Sequence, residues 1–495
     1  AYEAPEWIQG GLFYHIFVDR FYRFGSTPPP AGGIVRADWG GVPHYQPDDR
    51  GEVRNDDFFG GNLTGIIEKL DYIASLGVSC IYLSPVFLAR SNHKYDTADY
   101  NRIDPAFGDE ETFVRLCREA EKRGMKVLLD GVFSHTGSDS VYFNRYGTYD
   151  TLGAYQSKAS PYYKWYTFER FPDKYDCWWG VHTLPNVQEL EKSYIDFMLG
   201  KNGIVRKWLK LGAAGYRLDV VDELPDEFLD ALRKAAKEEK KEALLIGEVW
   251  EEATTKVSYD KRRRYFLGRQ LDGVLNYPLR DAVLNFLMTQ DACAFADAVG
   301  DLVERYPKQA LDCCMNILST HDTARILTML GSKGRLPECK EAQAGYVLDD
   351  VQRKRARCLI KLAAVLQYSL PGVPCLYYGD EAGLEGAYDP FNRRCFPWGK
   401  EEKSLTAFYR KLGNIRREHA AFAGGMIEFI EARDGLAAYR RKKGDSSIVV
   451  AVNSSQMQRE VHLDEEYIDL WSSLPLSGDI AIQPWSFLIA EKDKV

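Results

Sequence analysis

Four short segments of the chain place carboxylate, imidazole and guanidinium side chains directly after apolar runs. They read Asp130-Gly-Val-Phe-Ser-His135, Gly215-Tyr-Arg-Leu-Asp219, Gly247-Glu-Val-Trp250 and Ser319-Thr-His-Asp322. A single Asp at the end of a strand usually caps a helix or anchors a loop. Several such segments, each after a predicted strand, indicate that carboxylates from different strands meet in one pocket.

Two of these carboxylates, Asp219 and Glu248, fit the cleavage of a glycosidic bond. Its transition state has oxocarbenium character, so it needs a nearby anion and a proton donor for the leaving oxygen. Arg217 precedes Asp219 by two residues on the same strand face, and we expect its guanidinium to keep Asp219 ionised at neutral pH. Glu248, beside Gly247 and Trp250, has a more apolar setting, which favours a raised pKa and the acid/base role.

The segment Ser319–Asp322 supplies the third carboxylate of the predicted pocket. We expect Asp322 to bind sugar hydroxyls and to favour a distorted sugar ring. His321 and His135 are expected to donate hydrogen bonds beside it. The three acids together therefore predict a catalytic pocket rather than three separate structural anchors.

The elements that must position these residues are predicted to be eight parallel strands. Short apolar runs rich in β-branched residues alternate with segments of helical spacing, which is typical of β/α units. The predicted strands are 12–18, 78–83, 125–129, 213–219, 243–248, 272–276, 314–319 and 373–378. Eight such units predict an α/β fold, a β/α (TIM) barrel, whose strands all open their carboxyl ends on one face.

Two regions lack the alternation of apolar runs and helical spacing that predicts the barrel. Between 136 and 190 the chain is crowded with aromatic residues, which predicts a small excursion domain after the third strand. We expect most of its rings to be core, with one or two of Trp165, Trp178 and Trp179 facing the cleft. From 419 to 495 the pattern predicts an antiparallel β-sandwich domain, which leaves 1–135 and 191–418 for the barrel.

The chain resembles the α-amylase family, glycoside hydrolase family 13. Besides the four segments, Gly61-Asn-Leu-Thr-Gly-Ile-Ile67, Ile81-Tyr-Leu-Ser-Pro-Val-Phe87, His93-Lys-Tyr-Asp-Thr-Ala-Asp-Tyr100 and Gly372-Val-Pro-Cys-Leu-Tyr-Tyr-Gly-Asp-Glu381 are similar to its neopullulanase, cyclomaltodextrinase and amylopullulanase-like branch. The similarity runs from about residue 11 to the end.

The resemblance implies a retaining mechanism with Asp219 as nucleophile, Glu248 as acid/base and Asp322 as stabiliser of the transition state. It also implies sugar contacts at the cleavage point, with Tyr95 stacking on the sugar ring and Trp250 on the leaving-group side. The other implied contacts are His93, His135, Arg217 and His321.

The chain also departs from the family pattern at positions that bear on calcium. Ser134 stands where the family usually has a calcium-binding Asn, Asn62 stands where it has Asp, and the loop after Phe24 lacks an Asn and Asp cluster. Ca²⁺ takes roughly six to eight oxygen ligands. A structural calcium is left open, but these departures argue against it, and no metal or other cofactor is expected to take part in the chemistry.

We expect hydrolysis of α-1,4 bonds in starch-derived α-glucans, pullulan or cyclodextrins, with α-1,6 bonds as a further candidate. A glucanotransferase or glucoside isomerase would use the same carboxylates and differ only in the acceptor. A non-catalytic glycan-binding barrel is the alternative from another class. Such relatives lose one or more carboxylates, whereas this chain keeps all three acids and Arg217.

Composition restricts the partners and the compartment. The net charge of -8 over 495 residues argues against nucleic acid as a partner, and no run of 18 uncharged apolar residues predicts a membrane span. The ten cysteines form no C-x-x-C pair, which favours reduced thiols and a cytoplasmic location over secretion. The branch's dimer-forming β domain before the barrel is missing from this sequence, so both a monomer and a homodimer remain open.

Overall fold

A computed structural model describes residues 3–49 and 51–493. Eight parallel strands form the barrel: β1 Phe13–Ile16, β2 Cys80–Leu83, β3 Lys126–Gly131, β4 Gly215–Leu218, β5 Leu244–Gly247, β6 Gly273–Val274, β7 Met315–Ile317 and β8 Val373–Tyr377. They pair in the order β6-β5-β4-β3-β2-β1-β8-β7. A parallel bridge between Leu275 and Met315 joins the two end strands. The predicted eight-stranded barrel is confirmed.

Helices follow the barrel strands and cover their outer faces. The α-helices are Leu63–Glu68, Leu70–Ser75, Glu110–Glu121, Lys192–Leu199, Ile204–Lys210, Asp226–Glu239, Tyr277–Thr289, Ala292–Arg305, Lys308–Leu311, Ile326–Ser332, Lys340–Ala344, Asp350–Ser369 and Lys403–Glu418. Of the helices in the described ranges, none combines the length and apolar character that crossing a membrane requires.

The helix before β3 shows how the sequence builds one unit. Asp109 caps its first turn by accepting a hydrogen bond from the Thr112 N–H. Its buried side chains, Phe113, Leu116, Cys117 and Ala120, recur at helical spacing. The chain turns at Gly124, whose φ is +73°, a conformation that glycine adopts without steric cost. The helix thus ends where β3 must begin, and β3 delivers Asp130 to the open face.

Short strands outside the barrel shape its loops. They are Ile34–Val35, Asp57–Phe58, Phe87–Ala89, Thr97–Ile103, Phe168–Arg170, Lys174–Tyr175, Val257–Ser258 and Lys261–Arg262. Within 136–190, all of which the structure describes, the regular elements are the pair Phe168–Arg170 and Lys174–Tyr175 and two 3₁₀ turns. The rest of that region is irregular chain packed around aromatic side chains.

The C-terminal region forms the predicted antiparallel β domain. Its strands are β9 Met426–Arg433, β10 Leu436–Lys443, β11 Ser446–Asn453, β12 Arg459–Asp469, β13 Pro475–Ile482 and β14 Ser486–Lys492. All six are hydrogen-bonded in one sheet, ordered β9-β10-β11-β14-β12-β13. Ala437 and Tyr439 pack against the barrel core, whereas Leu436 and Ala438 join a separate core on the other face. Because successive side chains of β10 point to opposite faces of the sheet, this strand contributes to both cores.

Two buried arginines lie at the junction of this sheet and the barrel, and Arg441 bonds across it. Arg416 donates to the carbonyls of Gly11, Tyr368 and Gly372 at 2.6–2.9 Å. Arg441, on β10, donates to Ser369 O and Gly425 O. Burial lowers the pKa of both arginines. These cations are stabilised by peptide oxygens that come from both modules.

Glu381 is a buried carboxyl in the loop after β8, and it links stability to pH. It accepts hydrogen bonds from Tyr14 Oη (2.6 Å), Tyr72 Oη (2.9 Å) and Gly379 N (2.9 Å). Burial raises its pKa to about 7, against the opposing effect of the tyrosine hydrogen bonds. Because this folded-state pKa exceeds the ordinary value, the stability linked to Glu381 is fully present below about pH 4.5 and is lost as pH rises through 7.

As pH rises from about 4.5 to 7, the buried Glu381 carboxyl lowers the free energy of unfolding of the native chain by about 3 kcal/mol. We expect Glu381→Gln, which cannot ionise, to remove this loss. The amide still accepts from the tyrosines but cannot accept from the Gly379 N–H, which adds a cost that does not vary with pH. In thermal melts of both proteins from pH 5 to pH 8, the melting temperature of the variant minus that of the native chain should increase as pH rises. The exposed Glu418→Gln is the control. A constant difference across the range would contradict the prediction.

Candidate active site

Arg217 stands at the centre of the open face of the barrel, fully buried near the end of β4. Its Nη1 contacts Asp219 Oδ1 at 2.7 Å and Asp130 Oδ1 at 2.9 Å. Its Nη2 lies 2.9 Å from Glu248 Oε2. Since β3, β4 and β5 are neighbours in the barrel, one guanidinium contacts carboxylates from three adjacent strands. The structure thus brings Asp219 and Glu248 together, as the sequence predicts.

Glu248 follows β5 and is held by donors on both of its oxygens. Its Oε2 accepts a hydrogen bond from Val220 N at 2.8 Å, and its Oε1 accepts from Trp250 Nε1 at 3.0 Å. The predicted apolar setting of Glu248 is therefore wrong. Sequence neighbours suggested it, but the actual surroundings come from Arg217 and from the backbone after β4, which only the fold brings close.

Asp322 and His321 lie on the loop after β7, beside the same pocket. His321 Nε2 lies 3.1 Å from Asp322 Oδ2, and Arg393 Nη2 lies 3.5 Å from Asp322 Oδ1. Arg393 also donates to the His321 carbonyl at 2.9 Å. The guanidinium of Arg393 thus fixes both the backbone and the carboxylate of this segment.

Tyr95 connects the predicted sugar-contact residues. Its hydroxyl donates to Asp130 Oδ2 at 2.9 Å and lies 2.6 Å from His321 Nε2. Its ring stacks on that of His321, with centroids 5.1 Å apart. His135 Nε2 lies 3.0 Å from Tyr95 O, and His93 Nδ1 accepts from Tyr95 N at 3.1 Å. All of the predicted sugar-contact residues except Trp250 therefore surround Arg217 and Tyr95.

Burial controls the charge of the histidines in this group. It lowers the pKa of His93 to about 3 and that of His135 to about 4. The pKa of His321 is also lowered well below its ordinary value, first by burial and then by nearby cations and His15. All three rings are therefore neutral at pH 7, so each has one donor and one acceptor nitrogen. Both nitrogens of His135 are engaged within the protein, by Tyr95 O and Ser134 Oγ.

The carboxyls show the opposite shift, because burial penalises their ionised form. The pKa of Asp219 lies well above its ordinary value because of burial, with repulsion from Glu248 and Asp130 adding and Arg217 opposing. That of Asp322 is raised to about 7, mainly by burial, although 32% of its side-chain surface is accessible. Arg217 favours ionised Asp219, as expected, but burial and the neighbouring carboxylates outweigh its effect on the Asp219 pKa. The guanidinium is shared among three carboxylates, which the sequence could not show.

Trp250 lies at the edge of this pocket with 47% of its surface exposed. Its ring stacks on Tyr277, with centroids 4.0 Å apart and planes 14° apart. Tyr277 is buried. Trp250 therefore has one face covered by Tyr277 while its N–H holds the Glu248 carboxylate.

Sequence patterns assign no role to three residues of the site. Asp130 opens the first of the four segments, and it is bonded to Arg217 and Tyr95, and to Tyr82 Oη at 2.7 Å. Its position after an apolar strand was the signal that could have identified it. Tyr82, within β2, and Arg393, in an irregular stretch after β8, carry no such pattern.

The aromatic residues of the excursion region divide as expected. Trp165 is buried, and its Nε1 donates to Ser193 Oγ at 2.9 Å. Trp178 lies 5.9 Å from His135 between ring centroids and 6.4 Å from Trp179. Trp179 is 81% exposed. One tryptophan is thus core, one lies beside the pocket and one projects into solvent.

The residues at the questioned calcium positions are occupied by other bonds. Ser134 Oγ lies 2.9 Å from His135 Nδ1. Asn62 caps the helix Leu63–Glu68 by accepting from Gly65 N at 2.7 Å, while its amide donates to Phe24 O at 2.9 Å. Both side chains thus take part in contacts within the protein. Within 3–49 and 51–493, no group of three or more His, Cys, Asp or Glu side chains is arranged to hold one.

Comparison with known proteins adds independent evidence. The alpha-amylase family, described as "Alpha amylase, catalytic domain", matches residues 16–414. The amylopullulanase of Thermoanaerobacterium saccharolyticum is 35% identical over 520 residues, covering 94% of this chain and 39% of that protein. The cyclomaltodextrinase of Geobacillus thermopakistaniensis is 31% identical over 511 residues, covering 99% of this chain and 78% of that protein.

A solved structure agrees with the sequence comparison. The type III pullulan hydrolase from Thermococcus kodakarensis superposes with a TM-score of 0.83 at 30% identity, covering 99% of this chain and 83% of that one. This chain spans less than half of the length of the amylopullulanases it matches. From the family match, the fold and the four active-site segments together, we conclude that this chain belongs to the α-amylase family of glycoside hydrolases, beside enzymes of the cyclomaltodextrinase and amylopullulanase type.

Proposed function

We propose that the chain is a retaining glycoside hydrolase that cleaves α-1,4 bonds, and as a second bond type α-1,6 bonds, in starch-derived α-glucans, pullulan or cyclodextrins. Asp219 is the nucleophile and Glu248 is the general acid and base. The observation that carries the proposal is the contact of one buried guanidinium, that of Arg217, with both carboxylates. A retaining mechanism needs two carboxyl groups close together on opposite sides of one bond.

The first step forms a covalent intermediate. An oxygen of Asp219 attacks the anomeric carbon while the bond from that carbon to the leaving oxygen breaks, and Glu248 gives its proton to the leaving oxygen. Trp250 Nε1 and Val220 N orient the Glu248 carboxyl for this transfer. In the second step Glu248 takes a proton from water, whose oxygen attacks the anomeric carbon and releases Asp219.

Four carboxyl groups, those of Asp130, Asp219, Glu248 and Asp322, lie near Arg217 in the pocket. Burial is the main cause of the raised pKa values of Asp219 and Asp322, and repulsion from Glu248 adds to both. A positively charged guanidinium in contact with Asp219 opposes this shift and favours the carboxylate that attacks the anomeric carbon.

The remaining polar residues are proposed to bind the sugar at the cleavage point. Neutral His93, His135 and His321 line this subsite, Asp322 accepts hydrogen bonds from the sugar hydroxyls, and Tyr95 stacks against the sugar ring. No metal or other cofactor takes part in these steps, and the partner is an α-glucan chain. We also propose a cytoplasmic location, which the ten unpaired cysteines support.

Product analysis on pullulan and maltotriose tests this proposal. In an NMR time course we expect the new reducing ends to appear first as the α-anomer, with or without a chelator, because two displacements retain the configuration. Panose or isopanose from pullulan reports α-1,4 cleavage, and maltotriose alone reports α-1,6 cleavage. Initial release of the β-anomer would overturn the retaining mechanism. Net growth of longer chains at high maltotriose would identify a transferase instead.

A further inference from the structure

A lysine with a fully buried side chain lies between His93 and Tyr95, two of the residues beside the pocket. Lys94 has 0% of its surface exposed, although lysine is seldom buried unless it is paired. Its φ is +65°, a region that glycine enters freely and that lysine enters at a cost in free energy. All three residues belong to the loop, 90–96, of a hairpin that follows β2. A buried, strained lysine at this point requires a compensating role.

The amine of Lys94 fastens the tip of this hairpin, residues 87–103, to its base. Lys94 Nζ donates to Ala89 O and to Ser91 O, each at 3.0 Å. It also lies 2.7 Å from Asp104 Oδ2, and Asp104 directly follows the second strand of the hairpin. Three oxygens therefore surround the ammonium group, which has three N–H bonds to donate.

Asp104 and Lys94 form an ion pair that is shielded from water. The side-chain surface of Lys94 is 0% exposed and that of Asp104 is 4% exposed. The rings of Phe58 and Phe107 lie 4.9 Å and 5.1 Å from Lys94 Nζ. Asp104 Oδ2 also accepts from Ala89 N at 3.2 Å, so the carboxylate is fixed to the hairpin base. A buried ion pair adds little stability over an apolar pair of similar volume, but moving one partner away leaves an unpaired charge and is strongly unfavourable. The pair thus restricts where the loop tip can lie.

The residues on both sides of Lys94 depend on that placement. Tyr95 N donates to His93 Nδ1 at 3.1 Å, so the two side chains are joined at the loop tip. The Tyr95 hydroxyl donates to Asp130 Oδ2 at 2.9 Å, and Asp130 Oδ1 in turn contacts Arg217 Nη1 at 2.9 Å. A shift of the tip by about 1 Å would break the bond from Tyr95 to Asp130, because hydrogen bonds weaken steeply with distance.

We propose that Lys94 is a positioning residue of the active site, whose ion pair with Asp104 holds the loop tip so that Tyr95 and His93 meet the sugar at the cleavage point. The contact of these two residues with a sugar rests on the proposed function, whereas the ion pair does not. Lys94 itself does not touch the substrate, because its side chain is buried and bonded to the hairpin base.

Replacing Lys94 with Met tests the anchor, because Met keeps most of the length of the side chain and lacks the amine. We expect kcat/KM on maltotriose to fall about 10²-fold, the loss that a misplacement of about 1 Å in an active site can cause. The melting temperature should also fall, since Asp104 becomes a buried charge without its partner. Equal kcat/KM for the native chain and Lys94→Met would overturn the proposal.

The matched control is Lys237→Met, which removes a similar anchor at the opposite end of the barrel. Lys237 Nζ lies 3.0 Å from Asp272 Oδ2, a buried carboxylate directly before β6, and donates to Ala243 O at 2.6 Å. This variant should lose stability as well, but its kcat/KM at a temperature below both melting transitions should stay within about twofold of the native value. An equal loss of kcat/KM in both variants would show that Lys94 serves stability alone.

The double variant Lys94→Met/Asp104→Asn separates positioning from stability. It leaves neither buried charge unpaired, so its melting temperature should lie above that of Lys94→Met. Its kcat/KM should nevertheless stay low, because the anchor is still absent. Recovery of kcat/KM together with the melting temperature would overturn the proposal.

A double-mutant cycle with Tyr95→Ala tests whether Lys94 acts through its neighbour. In the Tyr95→Ala background, Lys94→Met should lower kcat/KM by well under tenfold, because most of what it positions has already been removed. Losses that multiply would contradict this route. Failure of the proposed function would appear instead as a native chain without turnover of maltotriose. Isothermal titration of maltotriose would then still test Lys94, with the Kd expected to rise about tenfold in Lys94→Met and less than about twofold in Lys237→Met. Equal Kd values in the two variants would overturn the proposal.

Discussion

Replacing Asp219 with Asn is expected to lower kcat on a chromogenic maltooligosaccharide by about 10⁴-fold or more. The amide keeps the size of the side chain and a hydrogen-bonding oxygen toward Arg217 Nη1, which lies 2.7 Å from Asp219 Oδ1. It cannot form the glycosyl ester, so the first chemical step fails although the substrate still binds. Initial-rate kinetics together with a titration of substrate binding would measure both effects.

The control for this variant is Asp71→Asn, which makes the same chemical change where 86% of the side-chain surface is exposed. It should have native rates. If Asp219→Asn turned over substrate at a rate comparable to the native chain, Asp219 would not be the nucleophile. The non-catalytic reading of the barrel would gain support only if the native chain itself lacked turnover.

Replacing Glu248 with Gln is expected to lower kcat on maltooligosaccharides by about 10²–10⁴-fold, the usual contribution of a general acid or base. The amide still accepts the hydrogen bonds of Val220 N or Trp250 Nε1 with its oxygen, but it has no proton to transfer. A nitrophenyl glycoside needs little protonation of its leaving group, so its first step should be nearly unaffected. Its turnover should then stop at the covalent intermediate.

Azide provides the decisive measurement for Glu248→Gln. As a nucleophile that needs no general base, it should restore turnover of the nitrophenyl glycoside and yield the α-glycosyl azide, the product of two inversions. The control is Glu418→Gln, which should neither lose rate nor respond to azide. Formation of the β-azide would mean that azide attacks the substrate directly and that no intermediate on Asp219 exists.

The barrel could be predicted from the sequence, because the periodicity of apolar residues indicates where its strands and helices lie. Each of the eight barrel strands is an apolar run, and the carboxyl ends of parallel strands must share one face. Asp219, Glu248 and Asp322 could therefore be assigned to one pocket before any coordinates. The sequence also shows that Ser134 and Asn62 depart from the family pattern at the calcium positions. In the structure their side chains are bonded to His135 and to Gly65.

The surroundings of each side chain are harder to predict from the sequence, because they depend on contacts between distant segments. No local pattern indicates that Arg217 is shared by three carboxylates or that Glu248 accepts from Val220 N. Arg393 lies in a stretch without periodicity, and its contact with Asp322 arises only when the loops after β7 and β8 meet. Trp179 and Tyr259 likewise come from loops after different strands, and both donate to Glu223.

The two arginines at the junction of the barrel and the C-terminal sheet bear on how this chain can be re-engineered. Arg441 belongs to the sheet but finds its acceptor at Ser369, at the end of a barrel helix, and Arg416 lies at the same junction. A cation without its acceptors in a dry junction is expensive. A foreign C-terminal domain would therefore have to supply a buried donor at the position of Arg441, because the Ser369 carbonyl of the barrel otherwise loses its hydrogen bond.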